Sequence, residues 1–158
     1  MKFKLALILA GAVVFFTSSI FGQDTAAAKA KELEAKFKET MTAVTMQGRW
    51  CSLKDGVLGP EKDDKYGIVS VEKVGGDSWI FNTRLRFRDQ ELVVPIPVQV
   101  KWAGETPVIV VDDLRLPGGA PYGSVAYSAR VLIHDNTYAG TWSGGDHGGL
   151  IKGVMRKE

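Results

Sequence analysis

From Gly48 onward, the sequence alternates between apolar and polar residues with the period of two that is typical of a half-buried β-strand. The segment WIFNTRLRF, from Trp79 to Phe87, places large apolar side chains at most alternate positions. The segment LVVPIPVQVKW, residues 92–102, shows the same spacing. Because successive side chains of a strand point to opposite faces, both segments predict strands with one apolar face.

Tight turns between such segments predict antiparallel hairpins. We place two-residue turns at three points: Asp89–Gln90, Gly104–Glu105 and Asp135–Asn136. The first turn would pair Phe81 with Val98, so that the apolar sets of both strands share one face. With further strands near residues 49–53, 66–74 and 149–156, the predicted fold is mainly β: an antiparallel meander of about eight strands, closed as a barrel or split into a sandwich.

One N-terminal amphipathic helix is predicted before the strands, over residues 24–46 of a segment that we delimit as 23–47. Its large apolar residues recur at intervals of four, four and three and form one stripe: Leu33, Phe37, Met41 and Val44. We expect this stripe to pack on an outer apolar patch of the β domain (residues 48–158), near Val93. The alternative is a mobile spacer that holds the β domain away from a membrane.

The first 22 residues have the layout of a secretory signal peptide. Lys2 and Lys4 precede an apolar run from Leu5 to Phe16, which is followed by polar residues. This run is shorter than a typical membrane-spanning helix. We therefore expect a secreted or periplasmic protein that meets a membrane only through this segment. An uncleaved membrane anchor is the alternative.

The charge of the chain gives no sign of nucleic-acid binding, and its cysteine content excludes an internal disulfide. Two of the 20 basic side chains and none of the 18 acidic ones lie in residues 1–22, so the rest of the chain is neutral. Overall charge therefore gives no reason to expect binding to nucleic acid. Cys51 is the only cysteine, so the exported domain has no internal disulfide. We expect Cys51 to be a buried, inert thiol.

Two features are candidate ligand contacts. The first is a basic row on one strand face, formed by Arg84, Arg86 and Arg88. Guanidinium groups bind carboxylate, sulfate or phosphate, but such a row is also typical of a solvated strand face. The second is Tyr122, in the irregular segment Asp112–Ser124, which is either a ligand-binding loop or a plain connection.

Catalytic and metal-binding motifs are absent from the sequence, which contains no nucleophile elbow, zinc-protease or phosphate-loop pattern. The acidic segment GPEKDDK, residues 59–65, lacks calcium-loop spacing and is predicted to be a surface turn. His134 is predicted to point outward at a turn. We therefore expect no enzyme activity, no metal and no cofactor.

The segment TWSGGDHGGLIKG, residues 141–153, resembles an active-site loop but is predicted to be a hairpin. A turn at Asp146–His147 places the histidine at an exposed tip and Trp142 in the core. The same register pairs Gly140 with Gly153, and paired glycines permit a sharp bend or close packing.

QGRWCSL after a helix, together with Arg156 in the last strand, resembles the calycin barrels. In lipocalins a Gly-x-Trp opens the first strand, and its tryptophan packs under a basic residue. The resemblance implies these roles for Gly48, Trp50 and Arg156. YAGTWSG, residues 138–144, is similar to a strand of an avidin-type barrel. What the resemblance implies is an architecture and not a particular ligand.

Two functions fit these patterns. The first is an exported, non-catalytic binding protein for a small apolar or anionic ligand. The alternative is a structural or protein-interaction module of the cell envelope with a filled core; the partner is unknown in either case. Six large inward side chains are candidates for filling the barrel: Trp79, Phe81, Phe87, Trp102, Tyr138 and Trp142. A pocket of several hundred cubic ångströms would favour ligand binding.

Overall fold

A computed structural model of the protein describes residues 20–87, 90–115 and 125–158. In these ranges the chain forms one helix and nine strands. They are α1 (Ile20–Met41), β1 (Val44–Lys54), β2 (Val57–Leu58), β3 (Lys62–Gly75), β4 (Ser78–Phe87), β5 (Gln90–Ala103), β6 (Thr106–Leu114), β7 (Tyr127–His134), β8 (Thr137–Gly144) and β9 (His147–Lys157).

The chain divides into two compact units, Met1–Glu32 and Leu33–Glu158. The described part of the first unit is helical, and in it Lys29 Nζ lies 3.7 Å from the Glu32 carboxylate. The second unit contains the last turns of α1 and all nine strands. Across the described ranges, no helix combines the length and the apolar character that crossing a membrane requires.

The strands form a closed antiparallel barrel. β3 to β9 pair in sequence order, and β1 pairs with both β3 and β9. The short β2 pairs antiparallel with the last residues of β1, where Leu53 lies opposite Leu58. The predicted mainly β meander behind one helix is therefore confirmed, and of the two predicted closures the chain adopts the barrel.

Three predicted registers are tested by the sheet. The turns at Gly104–Glu105 and Asp135–Asn136 are confirmed, with Ile133 opposite Tyr138 across the second. In the β4–β5 hairpin, Phe81 lies opposite Ile96 and not Val98. The alternation of side chains has a period of two, so a shift of two residues keeps the same faces and the pattern cannot detect it.

The last hairpin differs from its predicted register by the same two residues. Its turn is Gly145–Asp146, in which the glycine adopts a positive φ of 63°, and His147 begins β9. The predicted pairing of Gly140 with Gly153 is therefore wrong, because Gly140 lies opposite Ile151. Glycine supplies the left-handed backbone that a two-residue hairpin turn needs, and this places the turn one residue earlier.

The helix ends at Met41, before the predicted end at residue 46. Ala43 has a φ of 52°, and its N–H donates to the Val69 carbonyl of β3 at 3.2 Å. Val44 is therefore the first residue of β1 and not the fourth member of a helical stripe. The strand alternation begins at Val44, and its side chain is buried in the barrel.

The last turns of α1 close one end of the barrel. Phe37 packs edge-on against Trp79 at 5.3 Å and against Trp102 at 6.0 Å, measured between ring centroids. These two tryptophans flank the β3–β4 and β5–β6 turns, which we call the helix end of the barrel. Met41 is fully buried there. The expected docking on the outer patch is wrong, since Val93 remains 55% exposed.

Candidate functional site

A cavity of about 740 Å³ lies inside the barrel. Its wall is largely built of inward apolar side chains from the eight long strands, including Ile68, Phe81, Val98, Ile109, Val131 and Ile151. The alternation of β3 to β9 turns these residues inward, and barrel closure encloses the space between them.

Two clusters contain several of the described inward aromatic residues. Trp79 and Phe81 pack around Phe37 at the helix end. Trp142 packs edge-on against Trp50 at 5.4 Å, and its indole N–H donates to the Cys51 carbonyl at 3.4 Å. The filled core of the alternative function is not observed, because a cavity of about 740 Å³ remains. Cys51 itself is buried, as predicted.

An acidic residue, Asp64, lines the cavity beside Tyr66, two positions further along β3. The Lys65 backbone N–H donates to Asp64 Oδ1 at 3.0 Å, and the nearby Tyr66 phenol lowers the pKa of the carboxyl group. Asp64 Oδ2 is buried and has no hydrogen-bond partner among the described residues. A buried acceptor of this kind costs free energy until a donor reaches it.

Tyr138 lies in the same row of the barrel wall as Asp64. The row runs across four strands: Tyr138 lies opposite Gly153, Gly153 opposite Gly48, and Gly48 opposite Asp64. A Cβ atom on Gly48 would lie 2.5 Å from the Tyr138 hydroxyl, so the tyrosine side chain extends over both glycines. Tyr138 is 2% exposed, and its buried hydroxyl has no partner among the described residues.

Burial changes the pKa values of these three groups. It raises the pKa of Asp64 above the usual 3.8, and the hydrogen bonds from Tyr66 and from the Lys65 N–H only partly oppose it. Burial and, secondarily, the charge of Asp64 raise the pKa of Tyr138 to about 12. The pKa of Tyr66 is raised for the same two reasons. Both phenols therefore stay protonated at neutral pH, and burial makes ionisation of Asp64 less favourable than it is in water.

The described lining of the cavity contains no lysine and no arginine. His147 lies at the end opposite the helix, where its Nδ1 contacts the Asp146 carboxylate and its side chain is 68% exposed. Within the described ranges, no group of three or more His, Cys, Asp or Glu side chains is placed to hold a metal.

The structure places Arg84 outside the barrel. Its neighbours Thr83 and Leu85 line the cavity, so the arginine points to the outer face. There its Nε lies 3.0 Å from Glu91 and its Nη1 3.0 Å from Glu158. Its charge is therefore partnered by two carboxylates.

The other three candidate ligand contacts are not tested. Arg86 lies in β4 opposite Glu91, but its side chain lies outside the described residues. Tyr122 and Arg88 lie outside them entirely. Leu114 and Val125, on either side of the undescribed segment 116–124, both line the cavity.

Trp50 and Arg156, which the calycin resemblance implies to be in contact, lie apart. Trp50 is opposite Ile151 and faces the cavity, whereas the exposed Arg156 is opposite Thr45. A different cation, Lys62 Nζ, lies 4.8 Å from the centre of the Trp50 ring.

Sequence reasoning missed Asp64 because the acidic segment containing it resembles a surface turn. β3 begins at Lys62, so Asp64 is a strand residue. The alternation Asp64, Tyr66, Ile68 is the signal that identifies it, since Ile68 is a core residue of the same strand face. The face continues beyond a bulge between Ile68 and Ser70, which interrupts the pattern.

Comparisons with protein-family models, with curated proteins and with solved structures return no match for this chain. The closed barrel of eight long antiparallel strands is compatible with a calycin-like architecture. Any function therefore has to be argued from the cavity itself.

Proposed function

We propose that this protein binds a small, mainly apolar ligand inside the barrel and is an exported binding protein without catalytic activity. One observation carries the proposal: an apolar-walled cavity of about 740 Å³. Pockets for small molecules commonly have volumes of about 300–1,000 Å³ and a few polar groups in an apolar wall. Each methylene group of a ligand buried there gains about 0.8 kcal/mol.

The position of the charges favours an apolar ligand over an anionic one. Arg84 lies on the outer face and is engaged by Glu91 and Glu158. The described cavity lining offers the carboxyl group of Asp64 and no arginine or lysine. Export is supported by the signal-peptide layout of residues 1–22.

A second candidate is a protein-interaction module of the cell envelope. The observation that favours it is an apolar side chain on the outer face of β5: Val93, opposite Arg84, is 55% exposed. Binding through the outer face requires no cavity, so the two candidates predict different effects for substitutions inside the barrel.

Titration with the neutral dye N-phenyl-1-naphthylamine tests ligand binding, because the dye fluoresces when it leaves water. We expect saturable binding of one dye molecule per chain. Val131→Phe fills part of the cavity and should weaken binding, whereas Leu132→Phe, on the exposed outer face of the same strand, should not. Absence of saturable binding, or equal effects of the two substitutions, would contradict the proposal.

A further inference from the structure

We infer that the cavity selects ligands that carry a protonated amine on an apolar body, with the ammonium group held at Asp64. This inference rests on the proposed ligand-binding function and specifies the chemical class of the ligand.

The first argument is the unpartnered acceptor. Asp64 Oδ2 is buried on the inward face of β3 with no hydrogen-bond partner among the described residues. The other carboxyl oxygen already accepts from the Lys65 N–H at 3.0 Å. A ligand donor at Oδ2 therefore supplies the hydrogen bond that this oxygen lacks. Hydrogen bonds to a charged group are stronger than those between neutral groups.

The second argument is the position of the Tyr138 hydroxyl. It lies over Gly48, the direct cross-strand neighbour of Asp64. Paired residues in an antiparallel sheet lie about 5 Å apart, so the hydroxyl is about one strand spacing from Asp64. This hydroxyl is also buried without a partner among the described residues, and its oxygen can accept a hydrogen bond. An ammonium group has three donors and can bond to both side chains.

The third argument is charge. The described cavity lining contains no lysine or arginine to neutralise Asp64, and its neighbour Tyr66 carries no positive charge. The adjacent Asp63 differs in this respect, since its carboxylate lies 3.4 Å from Arg49 Nε. Trp142 adds an aromatic ring to the same cavity, and cations bind to the faces of such rings, whereas the Trp50 ring already has Lys62 Nζ at 4.8 Å from its centre. A ligand cation is therefore favoured, and a carboxylate is repelled.

Three ligands with the same alkyl chain separate charge from apolar burial: n-decylamine, n-decanol and n-decanoate. At pH 7 the amine is protonated, because its pKa is close to the value of about 10.4 for lysine. Each competes with N-phenyl-1-naphthylamine, and the displacement curves give the three dissociation constants. We expect the dissociation constant of n-decylamine to be at least about tenfold lower than that of n-decanol, because its hydrogen bond to Asp64 is between charged groups. We expect n-decanoate to bind most weakly.

Asp64→Asn removes the charge and keeps the shape. We expect this variant to bind n-decylamine no more tightly than n-decanol, with its n-decanol affinity unchanged. Asp63→Asn is the matched control, because this neighbour has a 92% exposed side chain, and it should keep the full preference.

Equal affinity of the wild-type protein for n-decylamine and n-decanol would overturn the amine inference, as would an undiminished preference in Asp64→Asn. In both cases dye and n-decanol binding would leave the proposed function standing. Failure of the dye and of all three ligands to bind would overturn the proposed function and the amine inference together.

Discussion

Tyr138 reaches toward Asp64 across two glycines, Gly153 and Gly48, which lie between them in one row of the barrel wall. The ring occupies the space that side chains at both glycines would fill. The phenol can therefore lie along the wall with its hydroxyl near the carboxyl group of Asp64. The polar region of the cavity thus depends on two residues that have no side chains.

We predict that Gly153→Ala destabilises the fold by about 1–3 kcal/mol, the usual cost of overpacking a core. Its Cβ atom would lie 2.5 Å from the Gln47 carbonyl oxygen and 2.6 Å from the Tyr138 ring. Gly75→Ala is the control, because no atom lies within 4 Å of a Cβ there. Urea unfolding measures both, and equal midpoints for the two variants would contradict the tight seating of Tyr138.

We predict that Asp64→Asn is more stable than the wild-type protein at pH 7. The folded chain holds the Asp64 proton more tightly than the unfolded chain, because burial raises its pKa above 3.8. The contribution of Asp64 to the free energy of unfolding is thus greatest at low pH. It is lost as the pH rises from 3.8 through the raised pKa of the folded protein. The advantage of the asparagine variant should therefore shrink as the pH falls toward 3.8.

Urea unfolding of both proteins at pH 7 and pH 4 checks this prediction. A difference that is the same at both pH values, or a less stable asparagine variant at pH 7, would mean that the Asp64 charge is compensated in the folded protein.

We predict that Phe37→Ala destabilises the protein by about 3–5 kcal/mol, as is usual for removing a buried phenylalanine. Phe37 is 3% exposed and contacts Trp79 and Trp102 at the helix end of the barrel. Glu39→Ala, at an exposed position of the same helix, should have little effect. Thermal unfolding measures the comparison. Similar melting temperatures for the two variants would mean that the helix does not stabilise the barrel.

We predict that Arg84→Met leaves the dissociation constants of the dye and of the decyl ligands within about twofold of the wild-type values. The guanidinium group lies on the outer face, bound to Glu91 and Glu158, and surface ion pairs of this kind contribute little. The same competition titration measures the effect. A marked loss of affinity would restore the sequence-based hypothesis that Arg84 contacts the ligand.

Alternation in the sequence predicted which residues face inward, but it determined the cross-strand partners in only some of the hairpins. The pairing of Val100 with Ile109 was predicted correctly, and that of Phe81 was shifted by two, because both registers satisfy the same pattern. Closure was left open, since the pairing of β1 with β9 joins distant segments. The choice between a cavity and a filled core was left open, because alternation identifies inward residues without giving the radius of the barrel they have to fill.

Asp64 shows a second limit of such patterns. A charged residue on an inward face contradicts the apolar rule that defines the face, so it was assigned to a turn. Buried groups that cost stability are found most often at functional sites, and local rules fail at such positions.

The closure of the barrel has a consequence for the order in which the protein folds. Thr45 and Glu158 are 113 positions apart in the chain, yet the threonine hydroxyl donates to the glutamate at 2.8 Å beside the β1–β9 pair. Contacts between such distant segments form slowly, and the Gly48–Gly153 part of the barrel wall exists only once they have formed. A molecule that binds only the completed cavity shifts the folding equilibrium toward it. A molecule bound in the cavity would therefore stabilise the pairing of β1 with β9, including residues of these strands that it does not contact.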